Sequence, residues 1–178
     1  MPERDNPARF EQAVLPHLDA AYNLARWLMR DDHDAQDAVQ DACVRALRFF
    51  TNFRGGDSRV WLLAIVRNVC YSRLTSGRAR EHDASFDEEL HAADAGDVDN
   101  PENLLIRARD DRALRQAIEN LPAEYREPLV LRELEGLSYK QIAEVAAMPI
   151  GTVMSRLARA RKRIIAELRG AIRKGEIA

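Results

Sequence analysis

Ser155, Arg156, Arg159, Lys162 and Arg163 fall within the stretch AAMPIGTVMSRLARARKR, residues 146–163. Arg156, Arg159 and Arg163 stand at i, i+3 and i+7, so a helix sets their guanidinium groups along one side. A guanidinium carries a permanent charge and a rigid fork of donors. It pairs with phosphate oxygens or with the O6/N7 edge of guanine. The other line of the same helix, Val153, Leu157, Ala160, Ile164 and Leu168, is apolar and requires a core. Proline is tolerated in a first helical turn but breaks a helix interior. Met148-Pro149 is therefore a turn, and the basic helix starts near Ile150. Ahead of it, Ser138 with Gln141 three residues on spells a capping box. That box opens a short helix of about 139–147 that buries Ile142, Ala143 and Ala146. Short helix, tight turn and longer basic helix make a helix-turn-helix, which lays its second helix in the DNA major groove. Gly151 and Thr152 are small enough for the backbone to approach a groove edge. A basic face that only keeps a helical hairpin in solution carries similar arginines, but the full combination favours DNA binding.

Net charge argues the other way until its distribution is considered. The 178 residues sum to a formal charge of -2. Residues 45–80 nevertheless carry eight Arg against the single acid Asp57, and residues 149–178 carry eight bases against two acids. Residues 81–111 carry eleven acids and two Arg. Two basic blocks alternate with acidic ones, and each is a candidate phosphate-binding face that the near-zero sum conceals.

Ala, Leu and Arg dominate, aromatics are 6%, and no strand alternation occurs, so the class is all-α. A helix is expected over 8–30 from the recurrence of Phe10, Val14, Leu18, Tyr22 and Ala25. A second follows from about Asp34 to Phe50. Its apolar face is Ala35, Ala38, Val39, Ala42, Cys43, Ala46 and Leu47; its polar face shows Asp37, Gln40, Asp41, Arg45 and Arg48. TNFRGGDS (51–58) is a loop by its Gly-Gly and polar content. A third helix spans about 59–74, with Trp61, Leu62, Ile65, Val66 and Val69 inward. Residues 75–103 are acidic and poor in large apolar side chains, which describes a flexible linker. Fully extended it reaches roughly 95 Å. Beyond it, helices are expected over about 104–121 and 123–134, the latter kinked or started by Pro128 and closed by Gly136. Two small helical domains on such a tether are expected to bury little surface against each other.

Other chemistries lack support. His17, His33, His82 and His91 have no metal-ligand spacing with Cys43 or Cys70. Two cysteines make no disulfide framework, and both fall on or beside apolar helix lines. No nucleophile–base pair, phosphate loop or paired-carboxylate site stands out, so neither enzyme activity nor a cofactor is expected. With no apolar run of 18 residues and no signal-peptide core, membrane insertion is not expected and the cytoplasm is the default compartment.

LPAEYREPLVLRELEGLSYKQIAEVAAMPIGTVMSRLARARKRI resembles region 4 of sigma-70-type RNA polymerase sigma factors, specifically the small extracytoplasmic-function (ECF) group. DAQDAVQDACVRALRFFTNFRGGDSRVWLLAIVRN resembles their region 2. The likeness covers about 25–74 and 104–168. It implies a region 2-like bundle over 8–74, the linker over 75–103 and a region 4-like helix-turn-helix domain over 104–170. It also implies roles. Ser138, Lys140, Gly151, Thr152, Ser155, Arg156, Arg159, Lys162 and Arg163 would contact the −35 element. Phe53, Arg54, Ser58, Arg59, Arg67, Asn68 and Tyr71 would open the −10 element and hold a flipped base, whereas Trp61 belongs with the core. Asp37, Gln40, Asp41, Arg45 and Arg48 would bind the clamp helices of the polymerase largest subunit. Core RNA polymerase, including the flap of its second-largest subunit, promoter DNA and an anti-sigma factor are the implied partners. Two positions depart from the family pattern: Ser72 stands where an Asp is frequent, and Met154 where some relatives carry Arg. The −35 sequence therefore cannot be copied from a relative. The alternative is a stand-alone helix-turn-helix regulator that binds duplex DNA without polymerase. An all-helical adaptor is a third class, separated by having no salt-dependent DNA affinity. An internal role is also expected for the acidic linker, as a mask over the Arg-rich faces.

Overall fold

The structure, a computed structural model, describes the backbone of residues 6–78 and 101–175 and the side chains of 7–77 and 109–175. Residues 79–100 of the expected linker, and with them its masking role, lie outside the described residues; at its two ends, residues 75–78 continue α4 and residues 101–103 open α5 instead of forming linker. Eight α-helices and no strand fall among those described: α1 Asn6–Val14, α2 Leu18–Met29, α3 Asp32–Phe49, α4 Ser58–Arg78, α5 Pro101–Glu119, α6 Ala123–Leu129, α7 Tyr139–Ala146 and α8 Ile150–Arg173.

The single helix expected over 8–30 is two helices. Pro16 lacks an N–H and clashes with the preceding turn, so Leu15–His17 forms one 3₁₀ turn between α1 and α2. Arg30 closes α2 in the left-handed region, at φ 63°. The next helix starts two residues earlier than expected. Asp31, not Asp34, is its cap, and the Asp31 carboxylate accepts from the Asp34 N–H at 2.9 Å. Asp57 does the same for α4, accepting from the N–H groups of Arg59 and Val60 at 3.0 and 3.2 Å.

Three helices form the first half's core. Ala35, Ala38, Ala42 and Ala46 of α3 are fully buried, and their small side chains let α2 and α4 approach closely. Leu24 and Leu28 of α2 meet Leu62, Leu63, Val66 and Val69 of α4 there. The buried stripe of α3 is narrower than the sequence pattern implies. Leu47 lies one residue, about 100°, past Ala46 and is 55% exposed, beside Val44 at 51%.

In the second half Pro128 sits inside α6 without ending it. A proline ring displaces the carbonyl four residues back. The helix absorbs the fault by widening into one π turn over Val130–Leu134. Gly136, at φ +67°, then reverses the chain, and the Leu137 N–H returns to the Leu131 carbonyl at 2.9 Å. The capping box is complete: Ser138 Oγ accepts from the Gln141 N–H at 3.1 Å, and Gln141 Oε1 accepts from the Ser138 N–H at 2.9 Å. Ile142 and Val145 of α7 pack on Val153, Leu157 and Ala160 of α8.

The two halves are not loosely tethered neighbours. Helix α4 packs along α7, and α2 along α6 and the π turn, so one continuous core crosses from half to half. The expectation of little shared surface came from the linker's composition, which says nothing about faces elsewhere.

Arg126 ties down a third joint. Its side chain is buried, and Nη1 donates to the carbonyls of Glu119 and Leu121 at 2.8 and 2.9 Å, the unpaired end of α5. Burial lowers its pKa from the usual guanidinium value, as does the charge of nearby Arg30. Arg126→Met keeps the volume but strands both carbonyls. It is expected to cost about 1–3 kcal/mol in urea unfolding of the whole chain, and an unchanged midpoint would show that water replaces the guanidinium.

Candidate nucleic-acid interface

Helix-turn-helix geometry follows from the local chemistry just described. The capping box starts α7, Ala147 ends it in the left-handed region at φ 50°, and Pro149 caps α8 from extended backbone. Burying Val153, Leu157, Ala160 and Ile164 fixes the rotation of α8. Gly151, Ser155, Arg159, Lys162 and Arg163 are then exposed, as are Ser138 and Lys140 of the preceding element, with Thr152 and Arg156 half-buried. The basic line is not uniform. The Arg163 guanidinium lies over the Tyr125 ring at 4.7 Å, and Arg156 acts electrostatically on Tyr71 across the two halves. Arg159 and Lys162 line a shallow hollow with Tyr125, Arg163 and Ala166. Ile150 and Met154 also stand exposed near the start of α8.

A second surface surrounds the 51–58 loop. Phe53 lies between Phe50 and Trp61, stacked on the first at 5.8 Å and tilted against the second at 4.8 Å between ring centroids. Gly55 and Gly56, at φ +94° and +105°, turn the loop over these rings. The result is an open hollow lined by Asn52, Phe53, Arg54, the two glycines, Asp57, Val60, Trp61, Ala64 and, from α7, Glu144. Trp61 was placed in the core by its position on the apolar line. It does pack against the core, but it is half-buried and also walls the hollow. Asn52 and Asp57 were missed. Their signal was the Gly-Gly turn, which brackets the loop with aromatic side chains eight residues apart.

The remaining residues of that surface are engaged. Ser58 Oγ lies 3.1 Å from His17 Nε2. Arg59 Nη2 donates to the carbonyl and to Oε2 of Glu135, both at 2.8 Å. Arg67 pairs with Glu127 and lies over the Tyr71 ring at 4.5 Å, while the Tyr71 hydroxyl donates to Glu127 Oε2 at 3.0 Å. Burial, followed by the Glu127 charge, pushes the Tyr71 phenol well above its ordinary value, so it is a donor and never a phenolate. Asn68 is exposed one residue along. Asp57 is pushed up by burial, but N–H donors from Val60 and Arg59 and the Gln141 amide outweigh that and leave its pKa lowered.

The third surface is the outer side of α3. Asp37, Gln40, Asp41, Arg45 and Arg48 are all exposed there, with Val44 and Leu47 between them. Asp41 accepts from Arg73 Nη2 of α4 at 2.5 Å, which ties this face to α4. Charged groups around exposed apolar ones describe a protein-docking face better than a phosphate-binding one.

Cys70 is buried, and burial pushes its thiol up to about 12, so it stays protonated and inert near neutrality. Burial also raises Cys43. Among the described residues no group of three or more His, Cys, Asp or Glu is placed to hold a metal ion, and no helix is long and apolar enough to cross a membrane.

Residues 13–80 match the family described as sigma-70 region 2, and residues 111–164 match sigma-70, region 4. The RNA polymerase sigma-H factor of Pseudomonas aeruginosa is 35% identical over 170 residues, covering 91% of this chain and 87% of that one. The ECF RNA polymerase sigma-E factor of Haemophilus influenzae is 38% identical over 147 residues, covering 79% and 77%. Among solved structures, the sigma factor RpoE of Bartonella quintana, crystallised with the anti-sigma factor NepR, superposes with a TM-score of 0.74 at 29% identity, covering 90% of this chain and 97% of that one. CnrH, solved with the cytosolic domain of CnrY, gives 0.62 at 25% identity, covering 90% and 88%. The chain therefore belongs to the sigma-70 family and is a sigma factor of the ECF group, the kind of subunit that directs RNA polymerase to its promoters.

Proposed function

We propose that this sigma factor divides promoter recognition between two helical units, residues 8–74 and 104–170, held on the acidic linker 75–103. The observation that carries the reading is the presence, on one chain, of a helix-turn-helix with an exposed basic line and an aromatic-walled hollow beside a basic helix. The first suits duplex DNA and the second an unstacked base, so the chain handles both states of a promoter. Ser138, Lys140, Gly151, Thr152, Ser155, Arg156, Arg159, Lys162 and Arg163 take the −35 duplex. Phe53, Arg54, Ser58, Arg59, Arg67, Asn68 and Tyr71 take the −10 strand, with Trp61 as a stacking platform. Unstacking costs a few kcal/mol per step, which stacking and phosphate contacts on the captured strand offset.

Core RNA polymerase supplies the catalysis, and the chain contributes none of its own. The α3 face carries the contact with the clamp helices of the largest subunit, and the second unit contacts the flap of the second-largest. The relatives crystallised with NepR and CnrY support an anti-sigma factor as a further partner, and the setting is cytoplasmic. A regulator that binds duplex DNA alone has no use for the α3 face or the aromatic hollow.

Run-off transcription with purified core polymerase on a genomic library, with start sites mapped, tests the reading as a whole. Reversing both charges, Asp37→Lys with Asp41→Lys, is expected to abolish the holoenzyme peak on gel filtration while leaving helicity intact. An undiminished peak would move the contact away from α3. Arg159→Ala is expected to cost about 1–3 kcal/mol of −35 affinity and to relax preference at one position. Equal loss on every −35 variant would make the contact a phosphate. Asn68→Ala is expected to slow open-complex formation on duplex promoters far more than on pre-melted templates; equal effects on both would make Asn68 structural.

A further inference from the structure

The outer side of α8 has two edges of opposite character. At about 100° per residue, the buried line of Val153, Leu157, Ala160 and Ile164 leaves Arg156, Arg159 and Arg163 along one flank. Ile150, Met154 and Ala158 lie along the other, with Gly151, Ser155 and Lys162 between the two. Ile150 is 46% exposed and Met154 53%, so neither belongs to the core. The apolar flank ends where Arg161, on the same side, pairs with Glu133 at 2.7 Å. It is therefore confined to the first turns of α8, next to the Pro149 turn.

The surroundings of this flank fit DNA better than an apolar protein surface. In a helix-turn-helix the N-terminal residues of the second helix face the base edges. No side chain caps α8 and no acid stands in its first turn, so its amide end keeps a partial positive charge that suits a phosphate. Gly151, in that same turn, has helical backbone, and a Cβ there would meet no protein atom within 4 Å. Neither conformation nor packing requires glycine at that position, and glycine weakens a helix relative to alanine. What its missing side chain does provide is room for a ligand to come close to the backbone between the two flanks.

We propose that Met154 is a specificity-determining residue that reads a thymine methyl group in the −35 element, with Ile150 extending the same apolar surface toward the turn. The proposal rests on the −35 reading of α8 and names the base that one edge of the helix selects. Base edges in the major groove present donors, acceptors and one apolar group, the thymine C5-methyl. Met154 pressed on a G·C edge strips water from polar atoms and gives them no partner, which is costly. Pressed on a thymine methyl it buries apolar surface against apolar surface. Its unbranched, polarizable thioether can follow the methyl through small changes of docking angle. The two flanks thus read by different physics: Arg159 by charge and hydrogen bonds, Met154 by burial.

The test uses holoenzyme, this chain with core polymerase, on a labelled duplex from a mapped promoter that carries the −35 element and stops short of −10. Each thymine of the −35 region is replaced in turn by deoxyuridine, which deletes one methyl and leaves every hydrogen bond of the base pair in place. One thymine is expected to be sensitive, its replacement weakening binding about fourfold, the worth of one buried methyl. Met154→Ala is expected to bind the thymine and deoxyuridine duplexes equally, whereas Met154→Leu, apolar and of similar volume, keeps the difference. Arg159→Ala lies on the other flank and is expected to lose affinity while keeping the same methyl effect. Deoxyuridine that costs nothing at every position overturns the proposal. So does a Met154→Ala chain that still loses fourfold on the same replacement. A Met154→Ala chain with unchanged DNA affinity that no longer enters holoenzyme overturns it too, and makes the flank a protein contact. Wild-type holoenzyme is also compared on the promoter duplex and on one with a scrambled −35 region. Equal binding to both would sink the −35 reading and the Met154 assignment with it, whereas a clear preference without any methyl effect would sink the assignment alone.

Discussion

Glu127 is a carboxylate with no access to water, and everything about how the two halves meet follows from what it needs. A buried charge is tolerated only when it is paired and its lone pairs are filled. Nothing in its own half does this; Arg67 and Tyr71, some 60 residues back in the chain, do both. With those bonds made, α4 lies against α6 and α7, Tyr71 is desolvated, and the Arg67 guanidinium is held over the Tyr71 ring. Arg59, Arg67 and Tyr71, proposed above to hold a promoter strand, are also residues that join the two halves. A group that binds phosphate well binds a carboxylate well, so one surface serves both uses with the same donors.

The helix-turn-helix rests on different and more local physics. A capping box, a left-handed Ala147 and a proline cap fix where α7 stops and α8 starts, within a dozen residues. Side-chain packing then sets the rotation of α8, and its basic line follows from that rotation. Such a unit can keep its shape whether the halves are together or apart. The aromatic hollow is similarly local, built from one Gly-Gly turn and three packed rings, Phe50 stacked on Phe53 and Trp61 tilted against both.

Helix α3 separates the two tasks. Its alanine stripe binds it tightly to α2 and α4, which leaves its outer side acidic, basic and apolar in patches; among the described residues Arg73 of α4 engages it, through Asp41 and the Asp37 carbonyl. On the reading proposed above, a docking face on α3 apart from both DNA-facing surfaces lets a protein partner and DNA bind together. The exposed Val44 and Leu47 sit there because the buried stripe uses only the alanine positions.

Much was determined by the sequence itself, wherever the governing interaction spans a few residues. The all-α class, the capping box at Ser138, the Pro149 turn, the Gly136 reversal and the apolar line of α8 are short-range patterns, and each stands in the structure where the pattern put it. Local reasoning missed where one local signal outweighed another, as where Pro16 divides a periodic helix and Asp31 takes the cap from Asp34, and where the buried stripe of α3 is narrower than its period and leaves Leu47 exposed. The tertiary structure alone decided the rest. Phe53, Arg54 and Trp61 come together around a hollow, and Glu144 reaches it from the other half of the chain. Nothing in the periodicity of α6 distinguishes Glu127 from any solvated glutamate, because its burial depends on Arg67 and Tyr71 arriving from the other half. A side chain's own turn is written in its neighbours along the chain; its partner across a domain boundary is set by which surfaces fit, and only three-dimensional packing specifies that.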